Sequence, residues 1–178
     1  MQELMEALDG LLDDLDAICR HAHKTYRAYD PLVLLEHDTR AAAACMYAHM
    51  ASEAERRFAD HSVIKPVDPR PLGGLKVWRH SDIAVIRFKK HDEDGHSRNY
   101  PTGQAKAYDR DDELPGLPPP AARLSVGYWL DATGTIFNRT QIARPRSRSI
   151  DWCVAIVPTE ERKAGEARWI DVTRQPKF

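Results

Sequence analysis

The stretch Ile83-Ala-Val-Ile-Arg-Phe-Lys-Lys90 is an apolar, β-branched run that reads as a strand, and it ends abruptly in His91-Asp-Glu-Asp-Gly-His-Ser-Arg-Asn-Tyr-Pro101. Acid, base, imidazole, amide and phenol crowd into these eleven positions, punctuated by one Gly and one Pro. A rigid strand that delivers a dense polar loop is a common way for a scaffold to present a site.

Working outward, Leu75-Lys-Val-Trp-Arg79 pairs with the 83–88 run as a hairpin around His80-Ser81-Asp82. The long connection 90–122 carries the polar loop and a short helix beginning at Pro101 and running to about Tyr108. The acidic cluster Asp109 to Glu113 and Leu114-Pro-Gly-Leu-Pro-Pro-Pro-Ala121 follow. A connection of this length between strands is usually functional or disordered. Alternation then returns with Leu124, Val126, Tyr128 and Leu130, a turn at Asp131-Ala-Thr-Gly134, a return strand from Thr135 to Ala143, and the turn Arg144-Pro-Arg-Ser-Arg148. Ile150, Trp152, Val154 and Ile156 predict a third strand, and Trp169-Ile-Asp-Val172 a last strand at the sheet edge.

Upstream, Leu4, Leu8, Leu11, Leu15, Ile18 and Ala22 recur at helical spacing, which predicts one long amphipathic helix over residues 2–28. Its early acids and late bases both oppose the helix macrodipole, while Gly10 weakens its middle by roughly 1 kcal/mol. Asp30-Pro31 ends that helix. Pro31-Leu-Val-Leu-Leu35 reads as a buried strand or as the approach to a second helix, which is capped by Asp38 or Thr39 and runs from Ala41 to Ala59. Pro66, Pro69, Pro71 and Gly73-Gly74 form a linker. The expected fold is α+β: two N-terminal helices packed on an antiparallel sheet of five to six strands. Residues 1–62 form the helical part and 63–178 the β part.

Composition narrows the function classes. With 42% hydrophobic and 30% charged residues the chain is globular rather than disordered or membrane-embedded. No run approaches the roughly 20 apolar residues of a bilayer span, and Met1-Gln-Glu-Leu-Met-Glu6 is acidic where a signal peptide is basic, so a cytoplasmic protein is expected, with no membrane partner. Cys19, Cys45 and Cys153 are widely spaced and read as reduced, buried thiols. Residues 1–60 hold 12 acids against 6 Lys/Arg, whereas 61–178 hold 15 against 20. That asymmetry marks either a nucleic-acid face on the basic part or two halves that attract each other.

No Gly-rich phosphate loop, GxSxG elbow, HExxH or dinucleotide fingerprint occurs. Asp92-Glu-Asp-Gly95 lacks the carboxylate spacing of a calcium loop, and His21-Ala-His23 puts its imidazoles on different helix faces; neither a metal nor a cofactor is expected. Arg87 and Lys89 share one strand face and could hold phosphate or carboxylate together with Arg98, while Lys90 points away unless the strand bends. A solvated strand end balanced by nearby acids is the competing reading. Asp94, His96 and Tyr100 can move protons near neutral pH, although loop histidines are commonly inert. Arg139, Arg144, Arg146 and Arg148 form a basic turn that reads as either a nucleic-acid contact or a solvated turn.

Arg87-Phe-Lys-Lys90, Asp92 to Gly95, Ser97-Arg-Asn-Tyr-Pro-Thr102, Gln104-Ala105, Leu114-Pro-Gly-Leu-Pro118 and Val126-Gly-Tyr128 resemble the signature of small bacterial and prophage proteins. Genes of that group often neighbour one for an Xre-type helix-turn-helix regulator fused to an ImmA/IrrE-like metallopeptidase domain, an arrangement proposed to be a toxin–antitoxin module. The resemblance spans about Leu32 to Val157 and brings no established catalytic residues. It implies a partner, the cognate Xre/ImmA-IrrE-like antitoxin, and a role: a toxin-like effector acting on RNA or a nucleotide-derived substrate. In that role Arg87, Lys89, Lys90, Arg98 and Thr102 would bind substrate, Asp94 or His96 would move a proton, and Asn99 and Tyr100 would orient the substrate. The alternative is a non-enzymatic interaction module that binds and tunes an Xre-type regulator.

Overall fold

The computed structural model describes residues 1–97, 102–114, 117 and 121–174. Five α-helices and a seven-stranded sheet form an α+β architecture among these residues. The helices are α1 (Gln2–Ala7), α2 (Leu12–Arg27), α3 (Pro31–Glu36), α4 (Thr39–Arg57) and α5 (Gly103–Asp109). The strands are β1 (Ile64–Pro66), β2 (Trp78–His80), β3 (Ala84–Lys90), β4 (Ala122–Leu130), β5 (Phe137–Arg146), β6 (Ser149–Ile156) and β7 (Trp169–Asp171), side by side in chain order.

The helices correct the expected pair. The first is broken by a 3₁₀ turn at Asp9–Leu11 around Gly10, the poorest helix former in the segment. Its stripe stays continuous across the break, since Met5, Leu8, Leu11, Leu12, Leu15, Ile18, Cys19 and Ala22 are all buried. Pro31-Leu-Val-Leu-Leu35 is helical, not a strand. Proline occupies its first turn, where no N–H is needed, and the Asp30 carboxylate accepts from Leu32 N. Asp38 caps α4 by accepting from Arg40 N and Ala41 N at 2.9 and 2.7 Å, as its side chain predicted.

The sheet corrects both strand count and pairing. β1, which was not expected, ends at Pro66, the first residue of the expected linker, and pairs with β2. More consequentially, β3 and β4 run parallel, and every other neighbouring pair is antiparallel. A parallel pair needs a crossover connection, and α5 lies in the one between β3 and β4. β3 shows the continuous burial of a strand covered on both sides, from Ala84 through Phe88.

On one face, Ala84, Ile86 and Phe88 of β3, Leu124, Val126 and Tyr128 of β4, Ile142 of β5, and Trp152, Val154 and Ile156 of β6 pack with α1, α2 and α4 in one apolar cluster. Buried polar groups fix the register of the layers. Asp16 on α2 accepts from Thr140 Oγ1 of β5 at 2.6 Å and from Arg20 Nε at 2.7 Å. Arg168 reaches both Asp9 and Asp13 at 2.6 Å, and Arg162 reaches Asp13 at 2.6 Å. Part of the charge asymmetry is thus taken up by ion pairs between the acidic N-terminal segment and the β6–β7 connection.

Candidate functional site

The opposite face of the sheet is polar. Strand alternation turns Val85, Arg87 and Lys89 of β3 away from the helices, and a smaller apolar cluster of Leu72, Val77, Val85, Tyr108, Leu117 and Ala121 covers only part of this side. Beside that cluster is an open cleft of about 420 Å³. Arg87 and Lys89 form its floor, Ala105, Lys106, Asp109 and Arg110 of α5 one wall, and Pro145 with Ser147–Ile150 the other; His96 and Ser97 lie at its rim.

Each wall has a local cause. α5 starts at Thr102, whose hydroxyl accepts from Ala105 N. Helical spacing then puts Lys106, Asp109 and Arg110 on one side. Tyr108, fully buried, ties the helix down by donating to Val85 O at 2.6 Å and Leu124 O at 3.0 Å, so its hydroxyl bridges β3 and β4. Arg123 of β4 closes the other end, donating to the Ala107 and Tyr108 carbonyls of the last helical turn and to the Asp112 carbonyl just beyond it. The far wall is the β5–β6 turn. Pro145, which has no N–H for the ladder, coincides with a bulge between Arg144 and Pro145. Ser147 holds φ +60° and donates its backbone N–H to Asp109 O at 2.6 Å, joining the turn to α5.

The floor carries the chemistry. Arg87 is only 2% exposed, yet just one of its nitrogens is satisfied: Nη2 donates to Asp109 Oδ1 at 2.5 Å. Its Nε and Nη1 find no hydrogen-bond partner among the described residues, and its guanidinium lies 4.6 Å from the Tyr108 ring centroid. A buried arginine with unused donors is costly unless something fills them. Burial pulls the Lys89 amine down to about 8; Arg87 repels its charge further and Asp109 opposes the effect. Burial pushes the Asp109 carboxyl up, against the pull of Arg87 and Lys89. Five cations (Arg87, Lys89, Lys106, Arg110, Arg148) line the cleft against one carboxylate, Asp109. The arrangement suits a compact anion with several acceptor oxygens, such as phosphate.

The polar loop folds back over this face. Asp92 Oδ1 accepts from Asp94 N and His96 N, and the Glu93 carbonyl accepts from Gln141 Nε2 and Arg139 Nη2. Gly95 is required there: its φ is +84°, and a Cβ would meet Cys153 Sγ at 2.7 Å. Behind the loop, His91 is buried with Nε2 2.8 Å from Ser125 Oγ; burial first and Arg87 second pull its imidazole down to about 3.

Of the residues singled out in the sequence, Arg87, Lys89, His96 and Arg148 meet in the cleft. Asp94 does not: it lies outside the lining and pairs with Arg174 at 3.0 Å. Lys90 faces a second hollow of about 520 Å³ with His91, Trp129 and Arg40, and Thr102 serves as the α5 cap. The basic turn divides. Arg139 stacks on Trp129 at 4.8 Å, Arg144 lies between Asp111 and Asp151, Arg146 lies near Asp151, and only Arg148 reaches the cleft. Arg98, Asn99 and Tyr100 lie outside the described residues. Lys106, Asp109 and Arg110 were not singled out in the sequence, although the Thr102 cap and the i, i+3, i+4 spacing behind it carried the signal.

Among the described residues no group of three or more His, Cys, Asp or Glu is placed to hold a metal ion, and no helix is long and apolar enough to cross a membrane. No protein-family model matches the chain, no curated protein matches its sequence, and no solved structure matches its fold.

Proposed function

We propose that the cleft between β3, α5 and the β5–β6 turn binds a phosphate-bearing substrate, and that the chain is a toxin-like effector acting on RNA or a nucleotide-derived substrate. The observation that carries the binding reading is Arg87, buried at the floor of a cationic cleft with Nε and Nη1 unpartnered. His96 at the rim is the candidate proton-transfer group, and Lys106, Arg110 and Arg148 supply the outer positive field. The toxin–antitoxin role and the Xre/ImmA-IrrE-like antitoxin as partner rest on the sequence resemblance.

The test is inducible bacterial expression, with growth and intact RNA followed for the native chain, Lys106→Ala/Arg148→Ala and Arg87→Met. The native chain is expected to arrest growth, and both variants to relieve the arrest while circular dichroism stays native. Full arrest by folded Arg87→Met would sink the assignment of the cleft.

The second reading, an interaction module that binds and tunes an Xre-type regulator, is favoured by a different region. Leu32 and Leu35 on α3 are 72% and 82% exposed, an apolar ledge that a partner could cover. Co-purification with the regulator that is lost in Leu32→Asp/Leu35→Asp, from a chain harmless to growth, would favour this reading over the effector.

A further inference from the structure

The cleft cations differ in kind. A guanidinium stays protonated at any physiological pH and has no lone pair to offer, so Arg87, Arg110 and Arg148 can only hold an anion. Lys106 is an exposed residue on the outer wall. Lys89 is half-buried in the floor, and its ammonium makes no hydrogen bond or ion pair with another described residue. It lies two residues from Arg87 on the same face of β3, and two residues of strand span roughly 6.6 Å. The floor therefore places an anion-holding guanidinium and a primary amine from neighbouring positions of one strand face in the same cleft, with the Asp109 carboxylate interacting with both.

We propose that Lys89 is a reactive amine that forms an imine with a short phosphorylated aldehyde or ketone, the phosphate of which is held by Arg87. This rests on the phosphate-binding reading of the cleft alone and names for it a small carbonyl substrate in place of RNA or a nucleotide. In the condensation the neutral Lys89 Nζ attacks the carbonyl carbon, and the C=O π pair moves onto oxygen. That oxygen takes up the proton which nitrogen sheds, giving a carbinolamine. The hydroxyl then leaves as water with the second nitrogen proton, and C=N forms. One water is released, and neither oxidant nor reductant is needed. A cationic neighbour and partial burial both favour the neutral form of a lysine and so enlarge its nucleophilic fraction near neutrality, and both are met at Lys89.

Pyridoxal 5′-phosphate is a suitable probe, since it presents an aldehyde close to a phosphate. The folded chain is incubated with a stoichiometric amount, the imine is reduced with borohydride, and the modified lysines are located by peptide mass mapping. Label at Lys89 is expected to exceed that at Lys90 and Lys106 by at least about tenfold, the rate difference that one shifted pKa unit corresponds to. Inorganic phosphate should suppress it, and phosphate-free pyridoxal should not reproduce it. Lys89→Arg should bind phosphate and lose the label. Equal labelling of Lys89, Lys90 and Lys106, or labelling indifferent to phosphate, would overturn the proposal. Phosphate binding with Lys89 unlabelled overturns the imine alone; no phosphate binding overturns the reading beneath it as well.

Discussion

The two faces of the sheet are built from alternate residues of the same strands, and they solve opposite problems. Toward α2 and α4, Ile86 and Phe88 pack in the apolar cluster, where Asp16 and Thr140 satisfy each other and the neutral Trp78 Nε1 is buried with no hydrogen-bond partner among the described residues. Toward α5, one residue away in each case, Arg87 is as deeply buried as Phe88 and leaves two of its nitrogens without partners. A face that only had to be stable would not be made this way. Replacing a buried ion pair with well-packed apolar residues is often neutral or stabilising. Phe88 is thus accounted for by the fold alone, whereas the placing of Arg87 is accounted for by the proposed binding of an anion in the cleft.

The largest expected effect breaks the apolar side. Phe88→Ala should cost about 3–5 kcal/mol in urea unfolding, because it removes a fully buried ring that meets Trp78 at 5.1 Å. A loss under about 1 kcal/mol would mean that this face is not the principal core.

A pH titration probes the polar side more gently. The folded pKa of His91 is depressed to about 3, below the roughly 6.5 of an unfolded chain. Between these values the unfolded state binds the extra proton, so stability falls as pH drops below about 6.5. From pH 7 to pH 5 the His91 contribution is about 2 kcal/mol, and His21, His23 and His80, also lowered by burial first, act in the same direction. Urea unfolding of His91→Gln should show a correspondingly flatter decline over this range; an unchanged slope would contradict the neutral, buried imidazole.

Much of this contrast was legible in the sequence. The period of α2, the Asp38 cap of α4 and the alternation of β4 and β6 follow from spacing alone. The strand face shared by Arg87 and Lys89 does too. What escaped was set by long-range pairing. The short helix expected from Pro101 to about Tyr108 was legible, but its place in a crossover was not, because nothing local states that β3 and β4 run parallel, and with that went the roles of Lys106, Asp109 and Arg110. β1 is three residues long and ends in Pro66, too short to show a period. Asp94 looked available because its partner, Arg174, lies 80 positions away.

The most direct test of the account is calorimetric titration of inorganic phosphate into the native chain and into Arg87→Met, with the stability of each measured by urea unfolding. Saturable phosphate binding is expected of the native chain and none of Arg87→Met, which is also expected to lose stability because the Asp109 carboxylate is left without its partner. Folded Arg87→Met that binds phosphate as the native chain does would return Arg87 to the structural residues and leave the cleft without its floor.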